Sequence, residues 1–116
     1  MTNYKLVVFS EPTEGQEAEY NRWYNEVHLP EVVSVPGFVS AQRFKLHTTM
    51  NGQLPHTYLS IYEIDCDAPQ TVLDGLVAAT EAGEMDISGA LNVDSPVVGL
   101  FEPISAVVAA PARAAA

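Results

Sequence analysis

Hydrophobic positions along the chain switch between two spacings. Residues 3–10, NYKLVVFS, are dense in β-branched and aromatic side chains and predict a strand. Beyond them the spacing lengthens. In EPTEGQEAEYNRWYNEVH, Tyr20, Trp23, Tyr24 and Val27 fall at i, i+3, i+4 and i+7, with Arg22 and Glu26 on the other side, which predicts an amphipathic helix. Thr13 followed by Gln16 is a capping-box pattern, and Glu14, Glu17 and Glu19 suit the positive end of the helix dipole. Pro30 has no N–H and its ring clashes with the carbonyl of Glu26, so the helix is expected to end close to His28.

Pro36-Gly37-Phe38 reads as a turn, and FVSAQRFKLH as the second strand. Asn51-Gly52 is a hairpin signal, and HTYLSIYEID, residues 56–65, is the returning third strand. DAPQTVLDGLVAATEAGE predicts a second helix, with Asp67 as N-cap, Pro69 in the first turn and Gly83 as the stop. Its apolar stripe is Val72, Leu73, Leu76, Val77 and Thr80. After a loop from Glu84 to Asp94, SPVVGLFEPIS is the fourth strand. The order strand-helix-strand-strand-helix-strand is the split βαβ arrangement. It implies an α+β, ferredoxin-like βαββαβ fold, with a four-stranded antiparallel sheet and both helices on one face. Residues 1–106 are expected to form this single domain, and the Ala-rich residues 107–116 a flexible tail.

Two helices cover one face of such a sheet. The other face is expected to carry Val39 and Ala41, or Tyr58, Ser60 and Tyr62, depending on register. Either set is apolar enough to call for a partner sheet, so a homodimer closed face to face is expected. With 47% hydrophobic and 17% charged residues, the chain has an ordinary globular composition. A net charge of −10 is the opposite of the basic footprint that nucleic acid or anionic lipid requires. No apolar run reaches transmembrane length and the N-terminus shows no secretory signal. A single cysteine, Cys66, suits a reducing cytoplasm, where localisation is expected.

The run YNRWYNEVHLPEVVSVPGFVSAQRF, Tyr20 to Phe44, resembles the EthD-like branch of the dimeric α+β barrel superfamily. The W-Y-x-x-x-H-x-P segment, the following P-G-F and the later R-F carry the resemblance. It implies ferredoxin-like subunits that pair their sheets into a barrel. Relatives in the superfamily include muconolactone isomerase, cofactor-free quinol-type monooxygenases, polyketide cyclases and haem-degrading oxygenases, so the resemblance speaks to fold more than to reaction. It also implies a cleft position for His28, whose counterpart in the family pattern usually lies there.

Candidate chemistry centres on His28, which falls at the edge of the apolar stripe one turn from Tyr24. At the C-terminal end of a helix the dipole would raise its pKa toward neutrality, fitting a general acid or base. The alternative is a helix-ending histidine bonded to the last free carbonyls. Tyr24 could donate a hydrogen bond to a developing oxyanion; Trp23, Tyr58 and Tyr62 could wall an aromatic pocket or simply fill the core. Arg43 could clamp a carboxylate or phenolate, or pair with Glu63. If Asn51-Gly52 were a two-residue turn, His47 would face His56, yet two histidines without a third ligand make a poor metal site. The second helix has no histidine to match the usual iron ligand of the haem-degrading relatives, and no metal or other cofactor is expected. The expected activity is proton transfer on a small apolar aromatic or polyketide-like carbonyl compound, of isomerase, cyclase, lyase or cofactor-free monooxygenase type. A non-catalytic dimeric binding or accessory protein is the alternative.

Overall fold

A computed structural model describes residues 1–113 of the chain. The elements run β1 (Thr2–Ser10), α1 (Glu17–Trp23), a π-helical turn (Tyr24–His28), α2 (Leu29–Val33), β2 (Phe38–Lys45), β3 (Tyr58–Cys66), α3 (Pro69–Glu81) and β4 (Val97–Phe101). The strands form one sheet in the order β2-β3-β1-β4, every neighbouring pair antiparallel. This is the ferredoxin-like arrangement expected from the element order.

The first helix does not stop at His28. It passes through Pro30 and ends at Val33, because the chain opens into a π turn just before the proline. There the Leu29 N–H reaches back five residues to the Tyr24 carbonyl. A turn of this width moves the i−4 carbonyl away from the pyrrolidine ring, and Pro30 then sits in the first turn of α2, where a missing N–H costs little.

The helix starts are also simpler than expected. Gln16, not Thr13, precedes α1, and no side chain caps it. Thr13 instead donates its hydroxyl to the Gly89 carbonyl at 2.8 Å, and Gly15, at φ 77°, separates it from the helical run. Ala68 rather than Asp67 precedes α3, since the residue before Pro69 is driven to an extended conformation. Asp67 lies 3.7 Å from the N-terminal ammonium. Gly83 does end α3, at φ 75°.

Between β2 and β3 the pairing Lys45↔Tyr58 and Arg43↔Ser60 keeps the register expected of the hairpin. The ladder stops there, leaving Leu46–Thr57 as a longer loop joined at its base by the Leu46 N–H to the Thr57 carbonyl. His47 is exposed. The ring of His56 approaches the Ser95 carbonyl and packs against Phe9, so the two histidines do not meet across the strands. β4 is shorter than expected, bracketed by Pro96 and Pro103, which lack the donor a ladder needs.

Alternate residues of β3, namely Tyr58, Ser60, Tyr62, Ile64 and Cys66, are buried. Their β1 partners include Ser10, Val8, Leu6 and Tyr4, so this is the face under the helices. Ala41 pairs with Tyr62 on the same face, and Val39 falls at a register shift between Phe38 and Ser40. Val39 is exposed at that shift, whereas Ala41, Tyr58, Ser60 and Tyr62 do not lie on the open face. It carries Val7, Phe9, Leu59, Ile61 and Phe44, with Val97 and Phe101 from β4 and one ion pair, Lys5–Glu63 at 2.5 Å. Both residue sets of β1 are apolar, so alternation in that strand could not assign the faces.

Beneath the helices the core falls into two clusters. One gathers Leu6, Val32, Tyr62, Ile64, Cys66 and Val72; the other is aromatic, with Tyr20, Trp23, Tyr24 and Tyr58 around Ala90. From Glu102 to Arg113 the chain is exposed and forms neither helix nor strand, and the last three tail alanines lie outside the described residues. No described helix is long and apolar enough to cross a membrane.

Candidate functional site

A cavity of about 360 Å³ lies between the helices and the sheet, against the cluster of Leu6, Val32 and Tyr62. Its walls come from every layer: Leu6, Val8, Tyr62 and Val98 from the sheet, His28 and Val32 from the first helix, and Leu76 and Thr80 from α3. Met85, Ile87 and Pro96 come from the loop that follows. The lining residues are apolar apart from His28, Tyr62 and Thr80, and the Thr80 hydroxyl bonds back to the Leu76 carbonyl at 3.0 Å. A few polar groups converging on an apolar hollow is the composition of a small-molecule site. A larger surface depression of about 480 Å³, between α2 and α3, is lined by small residues with Glu31 and Glu84, and neither imidazole nor phenol reaches it.

The π turn sets the environment of His28. On a regular α-helix residues five apart lie roughly 140° apart around the axis. A turn closed by i→i+5 bonds brings them onto one side. The ring of His28 accordingly stacks on Trp23, with centroids 4.7 Å apart and planes at 23°, and meets the edge of Tyr24 at 5.1 Å. Its Nδ1 is buried with no hydrogen-bond partner. Because the helix runs on to Val33, no free helix end supports an imidazolium here, and the expected rise in pKa is overturned. Burial instead pushes the His28 pKa down from 6.5 to about 4, so the ring is neutral at pH 7.

The other candidate residues divide between two places. Tyr62 lines the cavity. Burial pushes its phenol pKa far up, and the neighbouring Tyr24 phenol adds to the rise, so the group stays protonated. Trp23 and Tyr24 are buried behind His28 and Tyr62 and do not line the cavity. Arg43 and Tyr58 lie apart from it, in a surface groove of about 340 Å³. The guanidinium there sits 4.4 Å from the Tyr24 ring centre and donates to Asn25 Oδ1 at 2.8 Å and Asn21 Oδ1 at 2.9 Å. Glu63, the alternative partner, is on the open face with Lys5, so that pairing is not made. Tyr58 donates its hydroxyl to Glu17. Thr80 and Leu76 belong to the stripe of α3 expected to be buried; Val72 is buried and Leu73 and Leu76 half-buried, but Val77 and Thr80 are exposed, because the stripe is wider than the sheet edge it covers. Met85, Ile87 and Pro96 sit in a loop whose course no local pattern reveals. Among the described residues no three or more His, Cys, Asp or Glu side chains cluster as metal ligands would.

The depressed His28 pKa ties stability to pH. The unfolded chain takes up a proton on this residue below pH 6.5, whereas the folded protein does so only near 4. Stability is therefore expected to fall as pH drops from 6.5 toward 4, by on the order of 2 kcal/mol after allowing for partial exposure. Urea unfolding of the wild type and His28→Leu across this range checks it: the wild type should lose more stability than the variant, and parallel curves would contradict the assignment.

No protein-family model matches the sequence. No curated protein matches it with significant similarity. Solved structures do resemble it in fold. An ethyl tert-butyl ether D (EthD) family protein from Bacillus halodurans matches with a TM-score of 0.60 at 15% identity, over 88% of this chain and 99% of its own. A protein of unknown function from Nitrosomonas europaea matches at 0.58 and 24% identity, over 96% and 98%. The ActVA-Orf6 monooxygenase of Streptomyces coelicolor, in complex with nanaomycin D, matches at 0.56 and 15%, over 94% and 93%. At these identities the likeness is one of fold, and in fold the chain is of the EthD-like, ferredoxin-like α+β type.

Proposed function

We propose that the protein is a small cofactor-free enzyme that holds an apolar aromatic or polyketide-like carbonyl compound in the cavity and moves a proton with His28. The observation that carries this reading is a neutral imidazole, one nitrogen of it unpartnered, on the wall of an otherwise apolar hollow. A neutral imidazole accepts a proton from a carbon or hydroxyl that a neighbouring carbonyl or aromatic ring has made acidic. Tyr62, locked in its neutral form, then donates to the oxyanion that develops, with Tyr24 behind it in support rather than in contact with substrate. Isomerisation, cyclisation or lysis follows from that first step, as does attack of the substrate carbanion on oxygen. The likeness in fold to a monooxygenase in complex with nanaomycin D supports the oxygenase form.

A second reading has an observation of its own. A conjugate acid with a pKa of about 4 belongs to a weak base, which fits a non-catalytic binding protein where His28 only accepts a ligand's hydrogen bond. Oxygen uptake and product mass on a panel of hydroxylated naphthalenes and nanaomycin D separate the two. For an enzyme, His28→Ala and His28→Gln should lower kcat/KM by about 10²–10⁴-fold. The wild-type profile should be flat near neutrality and fall on the acid side through about 4. Turnover unchanged in both variants would remove His28 from the mechanism, and binding without product would favour the second reading.

The assembly proposed for either reading is a homodimer closed through the open sheet face. Phe44, Val97 and Phe101 are 42%, 55% and 58% exposed there, beside Phe9, Leu59 and Ile61. An apolar patch of this kind, beside the Lys5–Glu63 pair on the same face, favours a covering partner. A cytoplasmic setting suits the buried free thiol of Cys66. Sedimentation equilibrium at micromolar protein should return the mass of two 12.5 kDa chains, and a single-chain mass would overturn the dimer.

A further inference from the structure

The loop after α3 is gripped by the first helix at one residue, through both of its backbone polar groups. The indole N–H of Trp23 donates to the Asp86 carbonyl at 2.6 Å, and the Asp86 N–H donates to the two carboxylate oxygens of Glu31 at 3.2 and 3.1 Å. Trp23 stands just before the π turn and Glu31 just after it. The residues on either side of Asp86, Met85 and Ile87, line the cavity. Trp23 also lies flat against His28 at 4.7 Å. One indole thus touches the imidazole with its face and the cavity-lining loop with its edge.

We propose that the Asp86 backbone is a latch that sets the width of the cavity and the orientation of His28 together. Trp23 is its positioning residue, and Met85 and Ile87 are the residues that select ligand size. The proposal rests on the cavity being the ligand site. Asp86 contributes through its backbone, so the grip depends on the helix rather than on the side chain at position 86. A ligand too long for a hollow of about 360 Å³ must push Met85 or Ile87 outward. That displacement pulls the Asp86 carbonyl from Trp23 and disturbs the ring stacked on His28. Oversized ligands are therefore rejected by strain in the latch and are also held away from a well-placed imidazole.

Three variants separate the parts. Trp23→Phe keeps an aromatic ring beside His28 and removes the N–H donor. Glu31→Ala removes the acceptor, and Glu31→Gln retains an acceptor oxygen. Hydrogen exchange of the segment 84–91 should quicken about fivefold in Trp23→Phe and Glu31→Ala, as the loss of one hydrogen bond implies, while the strands exchange as in the wild type. Glu31→Gln should restore the wild-type rate. Fluorescence titration with 1-naphthol and the longer 1-anthrol should show the wild type preferring naphthol, with that preference reduced several-fold in Trp23→Phe and Ile87→Ala. A merely structural Trp23 would lower overall stability and leave both the local exchange and the probe ratio alone, which would overturn the latch. Failure of both probes to bind the wild type would count against the cavity as ligand site, and the exchange rates would still decide whether Asp86 is held as proposed.

Discussion

The site depends on how the first helix passes a proline. Pro30 cannot donate to the carbonyl four residues back and cannot tolerate it at close range. The chain answers with a π turn over Tyr24–His28, closed by the Leu29 N–H on the Tyr24 carbonyl. Three consequences follow from the extra width. His28 is rotated onto Trp23, a residue it would not face on a regular helix. The helix continues far enough for Val32 to join the core and for Glu31 to reach the Asp86 peptide. His28, no longer at a helix end, is sunk in a desolvated position where its neutral form is favoured.

Desolvation and the helix dipole would drive the imidazole in opposite directions, and the geometry decides between them. The dipole acts within the last turn and is worth about 0.3–1 kcal/mol at an exposed end. A fall in pKa from 6.5 to about 4 corresponds to roughly three times the upper part of that range, and the end of this helix, Val33, lies more than a turn beyond His28. The result is an acceptor available throughout the neutral range, set beside a phenol that burial keeps protonated. An acceptor and a donor facing an apolar hollow suit a substrate that gives up a proton and gathers charge on oxygen.

Much of the architecture was legible because it follows from local chemistry. The period change at Glu11, the pairing register of Arg43 and Ser60, and the stop at Gly83 each depend on a few neighbouring residues. The Tyr20-Trp23-Tyr24 stripe was readable for the same reason. The helix end was misjudged because Pro30 forbids the next α turn and not the next helical turn, a distinction made by packing on both sides of it. The open face escaped alternation because Val7 and Phe9 are as apolar as Leu6 and Val8. Within the candidate site His28 could be singled out, whereas the separation of Arg43 from it, and the reach of Trp23 across to Asp86, are long-range facts that no local spacing encodes.

If the π turn buries His28 as described, its titration records the fact directly. The Cε1 proton shift of His28, followed by NMR in the folded protein from pH 7.5 to 3.5, should show a midpoint near 4. A midpoint at or above 6.5 would contradict the account, since it would require a ring open to water or supported by a free helix end.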